Sequence, residues 1–285
     1  MSAEIHLGGC LCGAVRFEIS GELTVPAMCH CAMCRRSHGA LGVYTTAPAE
    51  RVRITGDDQI AWFSSSEMAE RGFCRQCGSK LFWRKKGGGE LDIAMGALDG
   101  ATGLKATKHI WVTFKGDYYD IADDLPQYAH SSANAQPCAA AEPIATADMP
   151  ATHHGHCLCG GVDFTVSGRL RDLSQCHCGQ CRRWHGHAPI YTKARLADMT
   201  FSAQDDLAWF VSSDRARRGF CRRCGSSLFW HRLNDEAISI SAGAFDPPFG
   251  PRLKHHIFVA DKSDYYDIAD ALPKFPGTGG NALPF

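Results

Sequence analysis

No stretch of this sequence is apolar for long enough to cross a bilayer as a helix, which takes about 20 residues, so no helical span and no membrane partner are expected. The opening Met1-Ser2-Ala3-Glu4-Ile5-His6 does not begin a secretory signal, and a cytoplasmic location is expected. Net charge is also missing, since Lys+Arg and Asp+Glu are both 30. Residues up to Tyr128 hold 14 basic and 15 acidic side chains, which leaves 16 and 15 for the remainder (30 − 14 and 30 − 15). Neither half has the basic field that drives nucleic-acid binding, so no nucleic-acid partner is expected. Long amphipathic helical patterns are lacking too, and a period of two carries most of the apolar signal.

What the sequence has instead is cysteine, 15 residues clustered as C-x-C, C-x-C-x-x-C and C-x-x-C. In a reducing compartment these spacings argue for metal ligation over disulfides. Hydrophobic residues make up 45%, enough for each half to bury a core of its own.

Self-similarity decides the architecture. Cys10 matches Cys157, Cys29 matches Cys176, Cys74 matches Cys221, His109 matches His256 and Tyr118 matches Tyr265, every pair being 147 apart (157 − 10, 176 − 29, 221 − 74, 256 − 109, 265 − 118). The chain is therefore a tandem duplication without net insertion, with domains expected over 1–128 and 153–285. Residues 129–152, rich in Ala, Pro and small polar side chains and carrying the lone Cys138, are expected to be a linker. It is long enough for the copies to pack together as a pseudo-dimer. The tail Gly277-Thr278-Gly279-Gly280-Asn281 is expected to be loose.

Val15, Phe17 and Ile19 alternate with Arg16 and Glu18, and Val162, Phe164 and Val166 with Asp163 and Thr165, the pattern of a half-buried strand. Further strands are expected over 42–46, 52–55, 61–64, 80–84 and 91–95, each repeated 147 residues on. Asp120-Ile121-Ala122-Asp123-Asp124-Leu125-Pro126 is read as a short helical turn.

Cys29-His30-Cys31-Ala32-Met33-Cys34 and Cys176-His177-Cys178-Gly179-Gln180-Cys181 each pack three thiols into six residues. That is too close for a disulfide framework and suits thiolates gathered on one zinc ion. Three protein ligands leave a fourth position open for chemistry. The knuckle Cys74-Arg75-Gln76-Cys77-Gly78, paired with Cys10 and Cys12, makes a closed four-thiolate zinc site, as do Cys157, Cys159, Cys221 and Cys224. Zinc is thus expected twice per domain and four times per chain. The seven cysteines of a copy could also be shared differently or bridge a cluster, although the C-x-C spacings do not match ferredoxin runs.

These residues resemble the glutathione-dependent formaldehyde-activating enzyme family, which includes centromere protein V. The resemblance rests on Gly9-Cys10-Leu11-Cys12-Gly13, Cys29-His30-Cys31 with Cys34-Arg35-Arg36, Phe73-Cys74 with Cys77-Gly78, and His109-Ile110-Trp111. In the second copy it rests on Gly155-His156-Cys157-Leu158-Cys159-Gly160, Cys176-His177-Cys178 with Cys181-Arg182-Arg183, Cys221 with Cys224-Gly225, and His256-Ile257-Phe258. It implies a mostly β chain of two tandem zinc-binding β-tent domains, with a structural zinc on the closed set and a catalytic zinc on C-x-C-x-x-C. The implied activity is carbon-sulfur lyase or synthase chemistry on S-hydroxymethylglutathione or a related thiol adduct, with glutathione or a similar small thiol as partner. The rival reading is a non-catalytic zinc-stabilised module that binds a protein or small thiol.

Around the open sites, Arg35, Arg36, Arg182 and Arg183 are candidates to hold the carboxylates of a glutathione-like ligand, against the plainer reading of a solvated or thiolate-supporting surface. His38 and His185 are candidate proton shuttles. His30 and His177 are read as supporting or exposed groups, and His109, His256 and the segments from Asp117 and Asp264 as packing and hydrogen-bonding elements. His153, His154 and His156 are read as a solvated linker end. The copies differ after the arginine pair, where Trp184 could narrow a pocket and His187 fill the fourth zinc position. On that ground the first site is expected to be the more reactive.

Overall fold

The computed structural model describes residues 4–133, 135–138 and 151–278. Most of the expected linker, residues 134 and 139–150, lies outside the described residues, as do 279–281 of the tail and the first three residues.

The first copy runs β1 (Ile5–Gly9), β2 (Arg16–Ser20), β3 (Ala27–Cys29), α1 (Ala32–His38), β4 (Gly42–Pro48), β5 (Val52–Thr55), β6 (Ile60–Ser64), β7 (Ala69–Cys74), β8 (Lys80–Lys85), β9 (Glu90–Ala94) and β10 (His109–Ile110). The second runs β11 (Thr152–His156), β12 (Asp163–Ser167), β13 (Leu173–Cys176), α2 (Gly179–His185), β14 (Ile190–Arg195), β15 (Met199–Ala203), β16 (Leu207–Ser213), β17 (Ala216–Cys221), β18 (Ser227–Arg232), β19 (Ala237–Ser241) and β20 (Leu253–Ile257). Each copy builds a three-stranded sheet, β1-β2-β5 or β11-β12-β15, against a seven-stranded one, β10-β3-β4-β9-β8-β7-β6 or β16-β17-β18-β19-β14-β13-β20. The fold is mostly β in two tandem copies, as the sequence implies.

Alternation explains β2, where Phe17 and Ile19 are buried and Arg16 and Glu18 face outward. Between the sheets Phe17 meets Phe82 and Phe164 meets Phe229, both with ring centroids 5.2 Å apart, so the first strands close each core. Two expectations fail. Residues 120–126 form no helix; the Asp123 carboxylate instead accepts the Leu125 amide at 3.2 Å and pairs with His109, which ties the segment to β10. The histidines at 153–156 are not a linker end but lie in β11, where His153 packs on Phe249 and His154 bridges Asp163 and Asp246.

The copies meet through their helices. α1 and its C-cap Gly39 sit on the 3-10 turn Ala242–Ala244, and α2 with Gly186 on Met95–Ala97. Gly243 donates to the Gly39 carbonyl at 3.0 Å and Gly96 to that of Gly186 at 2.8 Å. A Cβ on Gly243 would lie 2.1 Å from the Arg35 carbonyl, and one on Gly96 2.3 Å from that of Arg182, so only glycine admits this approach. Outside the helices, Ala106 donates to the Tyr265 carbonyl at 2.9 Å and Leu253 to that of Tyr118 at 2.8 Å, the same bond in each direction.

Candidate metal centres and active site

The fold brings Cys10, Cys12, Cys74 and Cys77 into one group and Cys157, Cys159, Cys221 and Cys224 into another, all sulfurs of a group lying within 4.8 Å of each other. The first C-x-C sits in the turn after β1 or β11, and the C-x-x-C in the turn after β7 or β17. All are free thiols, and the Sγ pairs Cys10–Cys12, Cys12–Cys74 and Cys159–Cys221 stand 3.4, 3.7 and 3.6 Å apart. A disulfide would need about 2.05 Å. A zinc tetrahedron with bonds of about 2.3 Å has edges of about 3.8 Å, so the donor set fits such an ion.

Cys29, Cys31 and Cys34 form a third group and Cys176, Cys178 and Cys181 a fourth. Cys29 ends β3, Cys31 is the N-cap of α1 with its sulfur accepting the Cys34 amide at 3.3 Å, and Cys34 lies in the first turn. A strand end running into a cap thus converges three sulfurs. Their crowding perturbs the thiols: hydrogen bonds with Cys31 and Cys34 push the Cys29 thiol up, while the same kind of contact with Cys29 and Cys34 pulls Cys31 down. Such a set shares protons until a cation replaces them.

The residues between and beside the ligands are tied down. His30 Nδ1 meets Tyr119 Oη at 2.6 Å, His30 Nε2 meets His109 Nδ1 at 2.8 Å, and His109 Nε2 meets Asp123 at 2.8 Å. Tyr266, His177, His256 and Asp270 repeat this at 2.6, 3.0 and 2.9 Å. Burial holds both His30 and His177 below their ordinary range, hence neutral, and the chain fixes the backbone between the first two ligands. The buried Arg71 directs Nη2 at Cys34 Sγ, 3.6 Å away, and Nη1 at Tyr44 Oη, 3.4 Å away. Arg218 stands 3.7 Å from Cys181 Sγ in the same way. A fixed cation beside a thiolate-rich centre offsets its negative charge.

The arginines singled out by sequence lie elsewhere. Arg35 Nη1 donates to the carbonyls of Phe245 at 2.7 Å and Gly243 at 3.3 Å, and Arg36 to the Ala244 carbonyl at 2.7 Å and to Asp246. Arg183 reaches the Gly9 carbonyl at 3.1 Å, the Ala97 carbonyl at 3.2 Å and Asp99 at 2.5 Å. All three point from their helix into the other copy. Arg182 is directed inward near Tyr265 and His187, with Nε and Nη1 buried. His38 and His185 are fully buried in the same contact, each Nδ1 donating to the other's carbonyl at 2.5 and 2.7 Å and each Nε2 meeting Tyr44 or Tyr191 at 2.5 Å. They are structural partners rather than shuttles. His187 bonds Tyr265 Oη at 3.0 Å and is not among the grouped ligands, so it does not close the second site. Trp184 is wholly buried against Phe73 and Phe220 and narrows no pocket.

A cavity of about 700 Å³ opens at the first three-cysteine group and is lined by Cys29, Cys31 and Cys34 together with Tyr44, Thr46, Arg71, Trp83, Asp92, Lys108 and Trp111. One face of the large sheet supplies its wall: Asp92 on β9 is paired across strands with Thr46 on β4 and with Trp83 on β8, and Arg71 on β7 with Trp83. Thr46 Oγ1 donates to Asp92 at 2.6 Å. Desolvation pushes the Asp92 carboxyl up to about 6, with Glu90 and Cys34 adding to the rise and the Thr46 bond opposing it. The sequence reading missed Arg71, Asp92 and Trp83. Arg71 and Arg218 could have been found as charges recurring at an inward strand position of both copies.

A family model described as glutathione-dependent formaldehyde-activating enzyme matches residues 5–114 and 152–261, which is 220 of the 285 residues (110 + 110). An uncharacterized lyase of Schizosaccharomyces pombe is 27% identical over 124 residues, spanning 43% of this chain and 90% of that protein. A crystal structure of a Rhodobacter sphaeroides protein is 27% identical and covers 34% of this chain and 91% of that one, with a TM-score of 0.28. No helix among the described residues is long and apolar enough to cross a membrane.

Proposed function

Because the chain belongs to the glutathione-dependent formaldehyde-activating enzyme family, we propose that it is a zinc-dependent carbon-sulfur lyase or synthase, acting in the cytoplasm on S-hydroxymethylglutathione or a related thiol adduct. The observation that carries this reading is the placing of Cys29, Cys31 and Cys34 at the wall of a cavity. The four-cysteine groups already have a full tetrahedral donor set; the three-cysteine groups do not. Zinc held there supplies thiolate formation at neutral pH and a fixed position for the substrate sulfur.

The chain's own groups handle the remaining proton. In the condensing direction a carbon-sulfur bond forms, the carbonyl π pair moves onto oxygen, and that oxygen takes up the proton given by the thiol. Asp92, in the same cavity and titrating near the working pH, is the carboxyl that delivers it, and in cleavage its carboxylate takes it back. Thr46 fixes the carboxyl in place, and Arg71 and Lys108 are the cations among the residues lining the same cavity. The cleavage rate is expected to rise as pH increases through about 6, where the base form appears. Asp92→Asn should lower turnover by about 10² and remove that limb of the profile. A variant whose pH profile matches the wild type would reject the role.

Exchange NMR on glutathione plus formaldehyde tests the reading as a whole. Adduct exchange above the spontaneous rate, lost in the Cys34→Ala/Cys181→Ala double variant, is the expected result; a wild-type rate equal to the spontaneous one would discard glutathione–formaldehyde activation and leave another thiol adduct or a binding module. The first site is the more reactive in this reading, because its cavity carries Asp92 where the second copy has Ser239 (92 + 147). Cys34→Ala should therefore cost more activity than Cys181→Ala.

A further inference from the structure

The two copies keep the same ligands but not the same surroundings. At the first three-cysteine group, Trp111 and Phe114 line the cavity with ring centroids 6.2 Å apart, and His130 packs edge-on against Trp111 at 5.3 Å. Trp111 is held there at φ 60, a left-handed conformation that is unusual for a bulky residue. Val25 and Met33 lie on the same cavity, and with Phe114 they are large apolar side chains left substantially exposed.

The second copy has the same backbone and different chemistry. Phe258 repeats the positive φ of Trp111, and its amide donates to the Gly277 carbonyl as that of Trp111 donates to His130. Yet the positions of Val25, Met33, Phe114 and His130 are filled by Asp172, Gln180, Asp261 and Gly277 (each + 147). The exposed apolar side chains of the first site, Val25, Met33 and Phe114, thus have polar or acidic counterparts in the second copy.

Charge points the same way. Glutathione carries two carboxylates, and each would call for a cation. Of the residues lining the first cavity only Arg71 and Lys108 are cationic, and Arg71 is directed at Cys34 and Tyr44. Asp92 as its carboxylate, and the three cysteines once deprotonated, add negative charge beside them.

Resting on the activity read above, we propose that the first site selects a small thiol, handled as its hydroxymethyl adduct, whose body is aromatic or branched and apolar, in preference to the doubly carboxylated glutathione. The cavity, at about 700 Å³, is within the usual range for such ligands. The thiol end meets the three cysteines, and the apolar body rests on Trp111 and Phe114 with one anionic group at most, against Lys108.

The test uses the zinc-loaded full chain with 4-fluorobenzyl mercaptan as the probe, followed by ¹⁹F NMR, and glutathione as competitor. In the Cys181→Ala chain, where the first set is intact, the benzylic thiol should bind at least about tenfold more tightly than glutathione, a difference of about 1.4 kcal/mol. In the Cys34→Ala chain, where only the second set is intact, that preference should vanish. Met33→Gln/Phe114→Gln, which makes these exposed positions polar without adding charge, should weaken binding of the probe about tenfold and leave glutathione within about twofold. Glutathione binding as tightly as the probe at the first site, or a double variant that binds the probe unchanged, would overturn the inference and leave the thiol-adduct reading standing. Failure of both thiols to bind any of these chains would overturn both.

Discussion

Cys74→Ser is expected to release one metal ion per chain and to abolish cooperative folding near physiological temperature. Cys74 is fully buried at the end of β7, and its group joins residues far apart in sequence, Cys10 and Cys12 after β1 with Cys74 and Cys77 before β8. An ion held there closes the two sheets on each other, and binding free energy of this kind, about 10 kcal/mol or more for structural zinc, is folding free energy. Serine keeps the shape but does not ionise near neutral pH, so it leaves an open ligand position and a buried hydroxyl. Cys34→Ala provides the contrast. Its group spans only residues 29–34, which the His30 chain and the helix cap already hold, so it should lose its metal with a far smaller loss of stability. Metal content by mass spectrometry, read beside thermal unfolding, separates the two. A Cys74→Ser chain with a full metal complement and an unshifted transition would refute the structural assignment of this group.

The repeat and the grouping of thiols were legible because both are local or countable. An offset of 147 needs no structure, and the C-x-C and C-x-x-C spacings leave few ways to gather sulfur. β2 and β12 were legible because one face is buried and the other wet. Strands such as β3 and β10 were not, since β10 is a two-residue parallel pairing whose place depends on β3, already next to it in the sheet. The 120–126 segment looked helical by composition, but the Asp123 side chain competes for the backbone as aspartate does in turns.

The arginines went astray for another reason. A charge beside a ligand motif is at once near the metal in sequence and free to point anywhere in space, and a seven-residue helix exposes several faces. In a single-copy chain the outward face would meet solvent or substrate. Duplication supplied another surface, and Arg35, Arg36 and Arg183 cap carbonyls and carboxylates of the other copy instead. The same residues thus leave the cavity to Arg71 and Lys108, which is why the site's charge cannot be counted from the motif.

Trp184→Ala, at a position that looks like part of a pocket, is expected to lower stability by about 3–5 kcal/mol, the usual cost of emptying a fully buried tryptophan site. The ring is completely buried between the copies, packed with Phe73 of the first and Phe220 of the second. Its Nε1 donates to the Cys77 carbonyl at 2.5 Å, so truncation also leaves a buried acceptor unpaired beside the first copy's knuckle. Lys80 Nζ lies 5.8 Å from the ring and Arg218 5.2 Å, and both lose an aromatic neighbour. The pseudo-symmetric positions are Ser37 and Ser227, so this half of the contact has no second tryptophan to fall back on. For a chain of this size the loss corresponds to a fall in Tm of about 10 °C. Because Trp184 belongs to one copy and its acceptor to the other, both copies should lose stability together, in one transition rather than two. Two separated transitions, only one of them shifted, would show that the copies fold independently and that this contact does not couple them.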